Sequence, residues 1–277
     1  MSSCSDIPTP SVLPHLSSIK VKEWGRQKRE IRLVVTDIDG CLGESEGVPL
    51  DLDVLRQIAG WNLRARSGEA VPAITLCSGR PAPYVDAMQQ VIGGYLPAVY
   101  ENGAGLYSPQ EYRFAWHPTL PKNAAEILWH ARNRLDATVV QTGIGIFQPG
   151  KERALTLLAA PGRTLIEVGR ACEQALQGEG LPLLVHVSVT TVGIWLEGTD
   201  KGAGVEWLTA ETGIPLHQMA GVGDTEADFC FLRLCGFSAV PANAEDGVKA
   251  RVDYVSPHKY GRGLVDIIEQ ILTKSIT

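Results

Sequence analysis

Ile31-Arg-Leu-Val-Val-Thr-Asp37-Ile-Asp39-Gly40 is an apolar run that ends abruptly in two carboxylates and a glycine. The continuous β-branched run predicts a strand buried on both faces of a parallel sheet. Because Asp37 and Asp39 are two residues apart, both side chains would leave the strand on the same face if its geometry continued. Two carboxylates this close repel each other unless a cation or a shared proton intervenes. At the carboxyl end of such a strand, where open α/β sheets bind ligands, a cation is the better explanation, although a D-x-D-G alone is more often an Asp-rich turn.

The composition is that of an ordinary soluble protein of one or two domains, with 277 residues, 44% hydrophobic and 20% charged. A net charge of −6 argues against a nucleic-acid or anionic-membrane partner. No apolar run reaches the length of a membrane-spanning helix. The six cysteines form no C-x-x-C pair, so we expect reduced thiols in a cytoplasmic protein and neither a zinc site nor a disulfide framework.

Both ends of the chain alternate between short apolar strands and segments with helical spacing. Strands are predicted at 71–77, 98–100, 217–222, 237–240 and 253–255, with helices between them. This rhythm is typical of an α/β fold with a doubly wound parallel sheet and right-handed crossovers.

The middle of the chain has a different pattern. Strands of the hairpin type are predicted at 107–116, 139–147, 153–159, 183–189 and 192–196, with helices at 123–135 and 164–176. This pattern predicts an inserted α+β module with an antiparallel sheet. We therefore divide the chain into an N-terminal arm (1–30), a core (31–107 and 197–277) and an inserted domain (108–196).

Four short polar motifs follow or adjoin the predicted core elements. In chain order they are Asp37-Ile-Asp39-Gly40, Ser78-Gly79-Arg80, Lys201-Gly202 and Gly221-Val-Gly-Asp224-Thr-Glu-Ala-Asp228. In a parallel sheet, the loops at the carboxyl ends of the strands converge on one crevice. Carboxylates there can hold Mg²⁺, while an ammonium, a hydroxyl and backbone N–H groups neutralise phosphate oxygens. The set therefore fits phosphoryl transfer, in which a carboxylate can itself be the nucleophile.

The order of these motifs resembles the haloacid dehalogenase-like (HAD) phosphatase superfamily. The insert between the second and third motifs resembles the α+β cap, of the C2 type, in the Cof-type subfamily IIB, which includes relatives of sucrose-phosphate phosphatase and mannosyl-3-phosphoglycerate phosphatase as well as phosphomannomutases. The resemblance covers about residues 30–275. It implies a Mg²⁺-dependent phosphatase that hydrolyses a small phosphorylated metabolite, a sugar or glycerate phosphate, through an aspartyl-phosphate intermediate.

The resemblance also implies roles for individual residues. Asp37 would attack phosphorus, and Asp39 would protonate the leaving oxygen and then activate water. Ser78, Gly79 and Lys201 would bind the phosphoryl oxygens.

The same resemblance implies a metal site and a supporting residue. Asp37, the backbone carbonyl of Asp39 and Asp224 would hold Mg²⁺, and Asp228 would support the site through water or through Lys201.

Substrate contacts are less well defined by the sequence. Arg80 could contact substrate or bridge neighbouring loops, and Asn102 and Asn243 could face the crevice or form turns. Cap side chains with polar reach are further candidates, namely Arg132, Arg134, His186 and Ser188.

The chain departs from the subfamily pattern at two positions. Ala227 stands where an Asn usually precedes the last Asp, which would weaken the outer shell of the metal. Cys41 replaces a common Thr, without loss of a catalytic group.

Two alternative functions stay open: a phosphosugar mutase with the same core, and a catalytically silent phosphate-binding regulatory protein. The oligomeric state is not indicated.

Overall fold

The structure, a computed structural model, describes residues 30–188 and 190–276. The predicted N-terminal arm, apart from Glu30, lies outside the described residues. The strands are β1 (Leu33–Thr36), β2 (Ala73–Leu76), β3 (Ala98–Tyr100), β4 (Gly105–Ser108), β5 (Arg113–Trp116), β6 (Gly145–Phe147), β7 (Ala154–Ala159), β8 (Leu183–Val187), β9 (Val192–Leu196), β10 (Met219–Val222), β11 (Phe237–Val240) and β12 (Tyr254–Val255). The α-helices are α1 (Leu52–Arg66), α2 (Ala82–Val91), α3 (Ala124–Leu135), α4 (Leu165–Leu176), α5 (Lys201–Thr212), α6 (Glu226–Leu232), α7 (Asp246–Lys249) and α8 (Tyr260–Ile276).

The core is a parallel sheet covered by helices on both faces. Its strand order is β12-β11-β10-β1-β2, and every neighbouring pair is parallel. Successive residues of β1 enter opposite apolar clusters: Val34 packs with residues of α1, α2 and α8, whereas Leu33 and Val35 pack with residues of α5 and α6. Burial on both faces is the physical reason for the continuous apolar run. The predicted doubly wound parallel sheet is confirmed.

The third predicted strand lies at the margin of this sheet. β3 meets the chain after β2 only through a bridge between Cys77 and Val99, and it pairs antiparallel with β4, which pairs with β5. The chain turns back directly after β3 because Glu101 and Asn102 adopt positive φ angles of 49° and 55°. This bridge is parallel, so β3 does extend the parallel sheet beyond β2, but only at one residue pair, and the antiparallel pairing with β4 was not predicted.

The inserted segment contains an antiparallel sheet with its own apolar core. The strand order is β6-β7-β9-β8, and leucine, valine and isoleucine side chains of this sheet pack against α3 and α4. Thr164 and Glu167 form a capping box at the start of α4. We call residues 108–196 the cap and keep this division as a proposal, since β5 within it pairs with β4 of the core.

One predicted cap strand is shorter than expected. Residues Asp136–Val140 continue α3 as a π-helical turn, and β6 begins only at Gly145. Val139 is fully buried in the cap core from this helical turn. The two β-branched residues Val139 and Val140 led to the prediction of a strand from residue 139, although they lie at the end of a helical segment.

Among the described residues, none of the helices combines the length and the apolarity needed to cross a bilayer. The cysteines in the described part of the chain are free thiols, and Cys41, Cys77 and Cys172 are buried.

Candidate active site

The carboxyl ends of the core strands open into a cavity of about 310 Å³ between the core and the cap. Asp37 follows β1, Ser78 follows β2, Asp224 follows β10, and Lys201 is the first residue of α5. All four line this cavity. The structure therefore brings together the four motifs that the sequence places far apart.

Lys201 joins two carboxylates at the floor of the cavity. Its Nζ donates to Asp37 Oδ2 at 2.7 Å and to Asp228 Oδ1 at 2.6 Å, and all three side chains are at least nine-tenths buried. The other oxygen of Asp37 accepts the backbone N–H of Ile38 at 2.7 Å. These contacts fix the Asp37 carboxylate at the end of β1.

The Asp228 carboxylate accepts four hydrogen bonds from protein donors. Its Oδ2 accepts the backbone N–H groups of Asp224 and Thr225 and the Thr225 hydroxyl, each at 3.0 Å, while Oδ1 accepts from Lys201. Burial would raise its pKa, but Lys201 and the backbone donors bring the pKa below its usual value. Asp228 therefore holds the loop that carries Asp224 and also holds Lys201.

Asp37 and Asp224 lie in an electrostatic environment that disfavours their charged forms. Burial raises the pKa of Asp37 to about 7. Repulsion by Asp228 and Asp39 adds to this rise, and the attraction of Lys201 opposes it. Burial, with repulsion by Asp228 and Asp37, raises the pKa of Asp224 to about 8. The ammonium of Lys201 stays protonated, since the two carboxylates outweigh its burial and raise its pKa.

The carboxylates of Asp37, Asp224 and Asp228 each offer one oxygen, and these oxygens lie within 4.8 Å of one another. Asp224 receives only a weak thiol contact from Cys41, at 3.9 Å. The glycine at position 40 makes room for this carboxylate, because a Cβ there would lie 2.0 Å from Asp224 Oδ2. The half-buried Asp224 carboxylate, without a strong donor and close to the buried carboxylate of Asp37, fits a hard divalent cation such as Mg²⁺.

The Asp39 side chain binds Arg80, whereas Asp37 binds Lys201. Arg80 binds it with two hydrogen bonds, from Nε to Oδ2 at 2.7 Å and from a terminal nitrogen to Oδ1 at 2.6 Å. The guanidinium also lies over the ring of Tyr84 and 3.6 Å from Glu46. Of the two roles considered for Arg80, the geometry corresponds to the bridge between loops.

The remaining predicted core residues all line the cavity. Ser78 is buried, and its hydroxyl accepts the backbone N–H of Arg80. Gly79 lies against Asn102, where a Cβ would approach Asn102 Oδ1 to 2.8 Å. Asn243 donates to the carbonyl of Gly40 at 2.9 Å and accepts from a backbone N–H, so its amide holds the turn after β1.

The cap forms the opposite wall of the cavity. Of the four cap candidates from the sequence, His186 and Ser188 line it. Arg132 instead lies over Phe147, and Arg134 contacts Glu179 at the far side of the cap. The sequence pattern did not identify the other cap side chains of this wall, which include Gln148, Lys151, Thr156 and Trp195.

Glu101 anchors the cap to the core, a role that sequence reasoning missed. The carboxylate is almost fully buried and accepts the backbone N–H of Glu152 at 3.0 Å and that of Arg153 at 2.6 Å. Nearby, the Gln148 amide donates to Glu46 at 2.6 Å. These bonds fix the cap loop 148–153 over the cavity. The only signal in the sequence was an acidic residue in the turn after β3.

Replacing Glu101 with glutamine is expected to loosen this loop. The glutamine amide keeps one acceptor oxygen but places an NH₂ donor where Oε1 now accepts the N–H of Glu152. Two buried donors would then face each other, and a buried donor without a partner costs on the order of 1–3 kcal/mol. We expect faster hydrogen exchange at the amides of residues 152 and 153, which mass spectrometry can measure. Glu111→Gln, a change at an exposed glutamate, is the control. Unchanged exchange in Glu101→Gln would contradict the anchoring role.

Comparisons with known proteins find relatives that match most of the chain. A family model described as haloacid dehalogenase-like hydrolase matches residues 170–268. Phosphoglycolate phosphatase 1 of Saccharolobus solfataricus is 25% identical over 252 residues, which cover 87% of this chain and 96% of the relative.

Solved structures share the fold. A HAD/COF-like hydrolase from Plasmodium vivax superposes with a TM-score of 0.69 at 19% identity, over 92% of this chain and 99% of that chain. The sucrose-phosphatase of Synechocystis sp. PCC6803, solved with sucrose and phosphate, superposes with a TM-score of 0.61 at 16% identity, over 88% and 98% of the two chains.

Proposed function

We propose that the chain is a haloacid dehalogenase-like phosphatase, namely a Mg²⁺-dependent phosphomonoesterase that hydrolyses a sugar or glycerate phosphate through an aspartyl phosphate. The observation that carries the proposal is the buried contact of Lys201 with Asp37 and Asp228, with Asp224 facing the same cavity. A carboxylate fixed in this way, beside a cation and at the floor of a cavity, is suited to attack phosphorus.

Asp37 is the proposed nucleophile. A bond forms between a carboxylate oxygen of Asp37 and phosphorus while the bond from phosphorus to the ester oxygen breaks. Asp39, in its protonated form, gives its proton to the departing ester oxygen and then takes one from water. The water oxygen bonds to phosphorus while the bond between phosphorus and Asp37 breaks, which releases inorganic phosphate and regenerates the Asp37 carboxylate. Arg80 holds the Asp39 carboxylate in place for both proton transfers.

The proposed phosphate site surrounds Asp37. The Ser78 hydroxyl, the Gly79 backbone N–H and the Lys201 ammonium would bind the phosphoryl oxygens. Lys201 also holds Asp37, so one ammonium would orient both the nucleophile and the group it attacks.

The residues present fit Mg²⁺. The carboxylates of Asp37 and Asp224 and the backbone carbonyl of Asp39 would hold it, with Asp228 in support through Lys201 and the loop at Asp224. When bound, the ion would supply positive charge next to the phosphoryl oxygens. Ala227 also lines the cavity but carries no polar group toward it.

The substrate is proposed to be small and free in the cytoplasm, with neither nucleic acid nor membrane as a partner. The cavity of about 310 Å³ has the size of a metabolite site, and the cap wall would contact the leaving group. Free thiols in the described part of the chain support a reducing compartment.

Phosphate release from a panel of sugar, glycerate, glycolate and nucleotide monophosphates tests the proposal. We expect release from at least one acid or sugar phosphate with Mg²⁺, and none with EDTA. Transfer of the phosphoryl group back to the substrate with a bisphosphate activator would favour the mutase. Tight binding of phosphate without turnover would favour the silent binding protein.

Binding of Mg²⁺ is expected to strengthen as the pH rises. In the metal-free protein, burial raises the pKa of Asp37 to about 7 and that of Asp224 to about 8, so both carboxyls are mostly protonated at pH 6. Protons compete with the cation, and the affinity should therefore increase by at least about tenfold between pH 6 and pH 8. Calorimetric titration with Mg²⁺ at both pH values measures this change, and an equal affinity at both would contradict it.

A further inference from the structure

Lys151 is a cation in the cap wall of the cavity whose role the proposed mechanism leaves open. It follows the turn at Pro149 and Gly150, and its Nζ donates to the hydroxyl of Thr156. In the described part of the chain, the ion pairs within 4.0 Å do not include Lys151. Burial lowers the pKa of this ammonium to about 8.

The charged groups that face Lys151 are satisfied by other partners. They are Glu101, Glu46, Arg80 and Asp39. Glu101 accepts backbone N–H groups, and Glu46 accepts from the Gln148 amide. Arg80 and Asp39 bind each other. The ammonium of Lys151 therefore neutralises none of the carboxylates by direct contact.

An ammonium held in a cavity wall with one neutral partner loses hydration without gaining an ion pair. Lys201 shows the contrast, since two carboxylates contact it at 2.7 Å or less. Lys151 is also fixed in position, because Glu101 binds the backbone of the next two residues. A fixed cation without an ion-pair partner, in the wall of the cavity that also contains Asp37, is arranged to receive an anion from the bound molecule.

We propose that Lys151 binds a carboxylate on the leaving group, so that the substrate is the phosphate ester of a short hydroxy acid. This inference rests on the proposed phosphatase function and narrows its substrate class. A carboxylate matches the single charge of Lys151, whereas a second phosphate would bring up to two negative charges near Glu46 and Asp39. Thr156, His186 and Ser188 lie on the same wall and can hydrogen-bond to the acid.

The test compares two esters that differ only in this group, 2-phosphoglycolate and 2-hydroxyethyl phosphate. The wild-type protein should have the higher kcat/KM for the acid. Lys151→Met should lower kcat/KM for the acid by about 10- to 100-fold, because a charge-assisted hydrogen bond is lost. For the neutral ester the change should stay below about threefold. Lys151→Arg should restore part of the preference, and Lys122→Met, at an exposed cap lysine, should change neither value.

Three results would overturn the inference. They are equal losses for both esters in Lys151→Met, no loss for the acid, and a Lys151-dependent preference for ethylene glycol bisphosphate over the acid. Failure of the proposed function is a separate outcome, because the protein would then release no phosphate from either ester or from an aryl phosphate. Binding of 2-phosphoglycolate to Asp37→Asn, with and without Lys151→Met, tests the contact without turnover, and equal affinities would also overturn it.

Discussion

Asp37→Asn is expected to reduce phosphate release by at least about 10⁴-fold, the scale of loss when a catalytic nucleophile is removed. The amide cannot form the aspartyl phosphate, and the bonds from Lys201 and Ile38 that fix the carboxylate lose their charged acceptor. The fold should persist, because burial and neighbouring carboxylates already raise the pKa of Asp37 to about 7 and the neutral amide relieves that repulsion. Initial rates with Mg²⁺ measure the effect, and circular dichroism confirms folding.

Asp246→Asn is the matched control for this experiment. Asp246 is fully exposed, and its pairing with Lys249 lies outside the cavity. Its activity should equal that of the wild-type protein. If Asp37→Asn retained more than about a hundredth of the wild-type rate, Asp37 would not be the nucleophile, and a direct attack by water would explain the reaction better.

Lys201→Met is expected to have the largest effect on stability. Removing one partner of a buried ion pair leaves uncompensated charges and costs about 3–5 kcal/mol. Lys201 contacts both Asp37 and Asp228, and Asp228 is fully buried, so its charge has no route to solvent. Activity should fall with stability, because the same ammonium is proposed to bind the phosphoryl group.

Urea denaturation at pH 8 measures this loss, with the exposed Lys259→Met as the control. Adding Asp228→Asn to Lys201→Met should recover part of the stability, since the second change removes the unpaired charge. Simple additivity of the two losses would show that Lys201 stabilises the fold by packing and not by charge compensation.

The sequence predicts the core sheet well for a physical reason. A strand buried on both faces leaves a continuous apolar signature, as β1 does, and polar side chains that follow such strands must meet at one edge. The positions of Asp37, Ser78, Lys201 and Asp224 in one cavity were predictable on this basis.

Features that depend on tertiary contacts were not predictable in the same way. The return of the chain after β3 depends on positive φ angles at Glu101 and Asn102, which no apolar pattern encodes. The role of Glu101 depends on a cap loop about 50 residues away in sequence. From the sequence alone, Lys151 would be interpreted as a surface lysine after a turn. Its position in the cavity wall depends on how the cap is placed on the core.

The most direct test of the central claim is to trap the phosphorylated residue. The Asp39→Asn protein, in which water activation should be slow, is mixed with Mg²⁺ and an aryl phosphate, whose leaving group departs without a proton from Asp39. The protein is then quenched and reduced with borohydride, and its peptides are analysed by mass spectrometry. We expect reduction of the acyl phosphate at Asp37 to homoserine, dependent on substrate and absent from Asp37→Asn. Turnover by the wild-type protein without any substrate-dependent modification of Asp37 would contradict the account.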